Sequence, residues 1–258
     1  MKWKILFALL LASANGFALT VDEIVSKANQ AAYYSGDDGA ADVKMVITEA
    51  NGGARTREFR ILRKNTGDGN QKFYVYFKAP ADVNRQVFLV WKNAAQGKTD
   101  ERWLFLPDLN LVKPIAPGDK RTSFVGSDFV YEDVSGRALW EDKHELTGET
   151  DTQYVIKNTP LNPGAVEFSE YTVWIDKDTF LPRKAEYMNK DGRLYRRVEA
   201  TKVETIQGFP TVTESKVSDL ENGGNTVNSF SSIQYDIGLN EQLFTERFLR
   251  RPPREATR

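Results

Sequence analysis

Apolar positions change period once along this chain. Over residues 19–31 they fall at helical spacing, with Val21, Ile24, Val25 and Ala28 on one face. Thr20 stands where an N-cap belongs, and Glu23 three residues later completes a capping box, so the pattern predicts a helix there. From Asp42 onward the period is two. Strands are predicted over 42–49, 56–63, 71–78, 86–92 and 101–106, then over 143–146, 153–158, 168–176, 183–189, 194–204, 211–219 and 225–233. Asn51-Gly52-Gly53, Asn189-Lys190-Asp191-Gly192 and Glu221-Asn222-Gly223-Gly224 are turn signals between them. Leu243 to Leu249 reads as a short closing helix. One helix followed by evenly spaced strands predicts a mainly β chain with some α: a single, strongly curved antiparallel sheet wrapped around the N-terminal helix. Strand–helix alternation and the GxGxxG pattern are absent, which disfavours a nucleotide-binding α/β fold.

Two stretches depart from simple alternation. Val87-Phe88-Leu89-Val90-Trp91 is apolar on both faces, so it is covered on both sides or lines a cavity on one. Residues 107–121 form a long connection rich in Pro, Gly, Lys and Arg, and it closes on the aromatic run from Phe124 to Asp133. Long irregular connections in compact domains are uncommon and often functional. A sheet curled around one short helix has more inward apolar area than that helix covers. The remainder would be a cavity suited to acyl chains. Its expected lining is Ile24, Val25, Phe73, Phe77, Phe88, Trp91, Trp103 and Phe105. The long connection is its expected gate. Lys113, Lys120 and Arg121 would meet an anionic head group or an acidic partner, and Phe124, Ser127, Asp128, Phe129 and Tyr131 would form the docking edge.

Composition narrows the chemistry. The 258 residues have a net charge of −1, which argues against a nucleic-acid binder working by bulk electrostatics. There is no cysteine, so thiolate metal sites, cysteine nucleophiles and disulfides are excluded. Lys2 and Lys4 precede an apolar run, Ile5 to Leu11, and Gly16-Phe17-Ala18 offers a cleavage point. Residues 1–18 are therefore read as a secretory signal, with Ala12-Ser13-Ala14 as a second possible site. One domain over 19–249 and a polar, basic, disordered tail over 250–258 complete the expected organisation. His144 is the only histidine and stands on a polar strand without a Gly-x-Ser-x-Gly elbow elsewhere, so a solvated or structural role is expected for it. A glycosidase-like pair of facing carboxylates is the enzymatic alternative. The expectation is a non-enzyme without cofactor or metal.

Several motifs give this chain a family likeness. Trp103 and Pro107 form a Trp-x-x-x-Pro strand end. A basic loop leads from it to Gly126-Ser127-Asp128-Phe129-Val130-Tyr131-Glu132-Asp133. Trp174-Ile175-Asp176, Leu181-Pro182 and Asp191-Gly192 follow. In these the chain resembles the periplasmic lipoprotein-carrier superfamily, the outer-membrane lipoprotein-sorting proteins, and within it the branch associated with inner-membrane exporters of the RND type. The resemblance covers nearly the whole mature chain. It implies a half-open antiparallel β-barrel closed by N-terminal and loop helices. It also implies a soluble, monomeric periplasmic protein in transient contact with membranes, which uses no cofactor and catalyses nothing. Its cavity would take the acyl chains of a lipid or lipoprotein in transit between inner and outer membranes. The alternative that the resemblance leaves open is an accessory subunit docking on an RND-type exporter.

Overall fold

The computed structural model describes residues 18–258; the expected signal peptide, 1–18, lies almost wholly outside the described residues. The first helix, α1 (Val21–Tyr33), starts as its sequence dictates. Thr20 Oγ1 accepts from Glu23 N–H, and the Glu23 carboxylate accepts in return from the Thr20 backbone.

Six strands follow: β1 (Asp38–Glu49), β2 (Ala54–Asn65), β3 (Gln71–Ala79), β4 (Val87–Lys92), β5 (Glu101–Leu106) and β6 (Leu111–Pro114). A long connection holding α2 (Tyr131–Ser135) leads to β7 (Asp142–Glu149), β8 (Gln153–Pro160) and β9 (Phe168–Asp176). The remaining strands are β10 (Pro182–Asn189), β11 (Leu194–Ile206), β12 (Phe209–Asp219) and β13 (Gly224–Tyr235). All join one antiparallel sheet in the order β6-β5-β4-β3-β2-β1-β13-β12-β11-β10-β9-β8-β7. Two meanders are thus joined by the β1–β13 pair, and among the described residues β6 and β7 are unpaired edges. The sheet is not closed.

It is nonetheless strongly wrapped. Phe73 on β3 and His144 on β7 line the same cavity. Nine strand spacings separate them in the sheet, about 43 Å if flat, far wider than the cavity itself. The expected strands are present, most of them longer by one to four residues at their ends. The four-residue β6 is an addition. It lies between Asn110 and Ile115 in the stretch expected to be irregular, and its Pro114 hides it from the alternation pattern.

Cross-strand partners share a face, so register decides what points inward. On the inner face of the first meander, Phe59, Phe73, Val75, Phe77, Phe88, Val90 and Leu104 pack against Phe124, Phe129 and Tyr131 of the long connection. On its outer face, Leu62, Tyr74, Val87, Leu89 and Phe105 are covered by Leu239, Phe244, Leu249 and Ala256 of the C-terminal segment. That segment carries α3 (Arg247–Arg250) and α4 (Arg254–Thr257). Tyr74 Oη donates to Phe248 O at 2.7 Å, Trp91 Nε1–H to Phe244 O at 2.7 Å, and Arg60 Nε–H to Glu255 O at 2.8 Å. Residues 250–258, expected to trail in solvent, instead dock on the sheet, with Ala256 fully buried. The arginines made this stretch look solvated; its two small apolar anchors, Pro253 and Ala256, face the sheet between them.

Candidate functional site: an apolar cavity under the inner face

The inner face has two separate covers. α1 lies over the far meander, where Ile24, Val25 and Ala28 pack on Ile156 and Ile175. Residues 115–141 lie over the near meander and bury their aromatics there. Phe124 sits 5.5 Å from Phe88 and 5.8 Å from Phe77, and Tyr131 sits 5.0 Å from Phe88, centroid to centroid. The covers meet where Gly136, at φ +77°, passes the Tyr33 ring. A Cβ there would come within 2.6 Å of that ring, so no larger residue fits this crossing.

Between the covers, strands β10 to β13 and β1 keep their inner side chains uncovered. The result is a cavity of about 500 Å³, within the range of small-molecule sites. Its walls are mostly apolar: Val25 and Ala28 from α1, Met45 from β1, Ala185 from β10, Val198 and Ala200 from β11, and Phe230 and Ile233 from β13. The space exists because Ala28, Ala185 and Ala200 are small where the neighbouring strands carry Phe, Tyr or Val.

The second cover is clamped by charge. Glu132 is 2% exposed and accepts from Lys120 at 2.8 Å, Arg121 at 3.1 Å and Arg137 at 3.3 Å. Arg121 also binds Glu167 at 2.6 Å, Arg137 binds Asp142 at 2.8 Å and Glu141 at 3.0 Å, and Arg196 binds Asp133 at 2.6 Å. Burial alone would push the Glu132 carboxyl up. Arg121, Lys120 and Arg137 together overcome this and hold it at about 2. The same carboxylates hold the Arg137 and Arg121 guanidiniums above their ordinary range. At the joint of the two covers Lys92 Nζ donates to Ser135 O and lies 5.0 Å from the Tyr33 ring centre. Burial is the main cause that lowers Lys92 to about 8.

The expected site residues therefore divide into groups. Val25 and Phe73 line the cavity. Phe77 and Phe88 are on the same inner face but packed solid beneath the second cover, and Ile24, on the first cover, is packed against Ile156 and Ile175. Trp91, Trp103 and Phe105 are corrected: they belong to the outer face under the C-terminal segment. The register explains the error. Phe88 pairs with Leu104 on one face, whereas Leu89 pairs with Trp103 and Val87 with Phe105 on the other.

Of the expected gate residues, Lys113 is exposed. Lys120 and Arg121 are not free for an outside anion, because both are committed to internal carboxylates. Phe124, Ser127, Phe129 and Tyr131 are buried, and Ser127 Oγ donates to Phe124 O at 2.7 Å. Asp128 anchors the block to β13, accepting from Thr226 Oγ1 at 2.7 Å. The Gly126–Asp133 block is a plug, with Phe124 and Phe129 also facing the cavity. Of the two roles expected of it, His144 has the structural one. Nδ1 lies 2.7 Å from Asn158 Oδ1 and Nε2 lies 2.9 Å from Leu139 O, tying β7 to β8 and to the end of the second cover. The wall residues that the sequence reading missed, Ala185, Ala200, Ser215 and Asn228, are small or polar. Their signal is one of size: a face of small residues on a curled sheet leaves volume.

The fold, a single unclosed antiparallel sheet, is shared with solved structures. A lipoprotein-sorting protein domain from Vibrio parahaemolyticus superposes with a TM-score of 0.80 at 24% identity, over 89% of this chain and 97% of its own. A LolA superfamily protein from Nitrosomonas europaea gives 0.68 at 20%, over 90% and 100%. A DUF1329 family protein from Desulfovibrio piger is more similar still, with a TM-score of 0.81 and 29% identity over 88% of this chain and 96% of its own. A family model with the description "Uncharacterized protein" matches residues 69–251, and the chain belongs to that family. No curated protein matches it.

Proposed function

We propose that this protein is a periplasmic carrier that takes the acyl chains of a lipid or lipoprotein into the cavity and moves them between inner and outer membranes. The observation that carries this reading is the apolar cavity of about 500 Å³ between α1 and the inner face. Buried apolar volume of that size is costly to leave empty and well matched to hydrocarbon. The fold it shares with lipoprotein-sorting structures supports the same reading. So does the signal-like pattern of Lys2, Lys4 and Ile5 to Leu11 for a periplasmic location. Among the described residues no helix is long and apolar enough to cross a membrane. Contact with an RND-type inner-membrane transporter is part of the proposal. What supports it is the open-edge β5–β6 hairpin, where Leu109 is 69% and Leu111 45% exposed beside Lys113. The chemistry needs no cofactor.

A fluorescent acyl probe tests the reading. The wild-type protein should bind it, and Ala200→Trp, which fills the cavity, should weaken binding at least about tenfold while the circular dichroism spectrum stays unchanged. A wild-type protein that neither binds the probe nor carries lipid by mass spectrometry would remove the carrier reading.

A further inference from the structure

One side chain in the cavity wall is out of place for a container of plain hydrocarbon. Asn228 is 7% exposed and lines the cavity, and its Oδ1 is buried with no hydrogen-bond partner among the described residues. Its neighbours across the sheet are Met45 on β1 and Ser215 on β12, which also line the cavity. Thr226, two positions earlier on the same face, is by contrast committed to Asp128. A buried amide oxygen without a donor is destabilising, whereas an apolar residue of similar shape at that position would not be. The sheet therefore carries a cost that the fold does not need, inside the site where a ligand would sit.

Given the carrier reading, on which this inference rests, we propose that Asn228, with the Ser215 hydroxyl beside it, is a specificity subsite for a neutral hydroxyl or amide group on the bound lipid. The chemistry points to a neutral group. An amide and a hydroxyl offer both donor and acceptor and carry no charge. The cationic side chains Arg121 and Arg137 in the wall are already neutralised by Glu132, Glu167, Glu141 and Asp142. A carboxylate or phosphate beside Asn228 would find no free counter-charge from either, and Arg183, the other arginine of this part of the wall, stands on β10, three strands from β13. A hydroxyl or amide N–H would give Asn228 Oδ1 its missing donor. Sites built to hydrogen-bond a ligand group discriminate strongly against analogues that lack it, because their own buried polar atom is then left unpaired.

The test uses the full chain and three palmitoyl compounds competing against a bound fluorescent acyl probe. They are palmitoyl ethanolamide, with an amide and a hydroxyl; methyl palmitate, neutral and without a donor; and palmitate, an anion. The wild-type protein should prefer the ethanolamide over the ester by about tenfold or more, with palmitate no better than the ester. Asn228→Leu should erase that preference by weakening ethanolamide binding about tenfold relative to the ester, and raise the melting temperature of the ligand-free protein, a rise that a structural asparagine would not give. Asn228→Val serves the same purpose should the leucine variant fold poorly. Equal potency of ethanolamide and ester on the wild type, or a preference that survives both substitutions, overturns the subsite while leaving the carrier reading intact. Failure of all three compounds and of the probe to bind the wild type overturns both.

Discussion

The two halves of this sheet use the same strand geometry to opposite ends. Strands β1–β6 are a filled sandwich except at the cavity's edge, where Met45 and Phe73 border it. Their inner face is plugged by Phe124, Phe129 and Tyr131 and their outer face is strapped by the C-terminal segment. Strands β7–β13 carry α1 on part of one face. Their outer face is solvated, with ion pairs such as Lys157–Glu170 at 2.6 Å and Arg197–Glu186 at 2.9 Å. Where the first half places Phe and Leu on its inner face, the second places Ala185, Ala200, Ser215 and Asn228. The first half is thus a scaffold and the second a container. The difference lies in side-chain volume and not in topology.

Truncation should expose that difference most sharply. Phe88→Ala removes a fully buried ring from the sandwich and should cost about 3–5 kcal/mol in chemical denaturation. Phe230→Ala removes a ring that borders open space and should cost about 1–2 kcal/mol. Equal losses would mean that the two halves are packed alike.

The clamp on the second cover comes next. Glu132→Gln leaves three cationic groups facing a neutral amide and should cost about 3 kcal/mol at pH 7. The pH dependence has a definite sign. The Glu132 carboxyl is held at about 2 in the folded chain against an ordinary value of 4.5. Its contribution is therefore complete above pH 4.5 and is lost as pH falls toward 2. The wild type should show this acid limb in melts across that window, and the glutamine variant should show a weaker one.

Lys92 acts in a separate, alkaline window. Its ammonium titrates near 8 in the fold against 10.5 when free. The unfolded chain thus binds more protons than the folded chain between those values, and stability rises with pH through that window. Lys92→Met should lack this rise in melts compared pairwise with the wild type.

The sequence made much of this legible, for physical reasons. A period of two is imposed by the pleat, so strand positions could be read almost throughout, and the Thr20–Glu23 capping box marked the start of α1. Val87-Phe88-Leu89-Val90-Trp91 signals a strand covered on both sides or lining a cavity on one, and the structure shows the first. What covers its outer face could not be read, because the strap joins it from 153 residues away, as in Trp91 to Phe244. Alternation shows that two faces differ without saying which one is inside, which is why Trp103 and Phe105 were assigned to the wrong face. The charges of Lys120 and Arg121 were visible. Their partners Glu132, Glu141 and Glu167 are brought to them only by the fold. The cavity itself was inferred from aromatics, whereas its volume comes from alanines, which leave little trace in a hydrophobic pattern.

The central claim is that hydrocarbon occupies the container and not the sandwich. The most direct measurement is photo-crosslinking with an acyl chain bearing a diazirine, with the labelled positions mapped by mass spectrometry. The account predicts labels on α1 around Val25 and Ala28 and on β11 and β13 around Val198 and Phe230. Labels concentrated on Trp91, Trp103 and Phe105 beneath the C-terminal strap, or spread without preference over the surface, would contradict it.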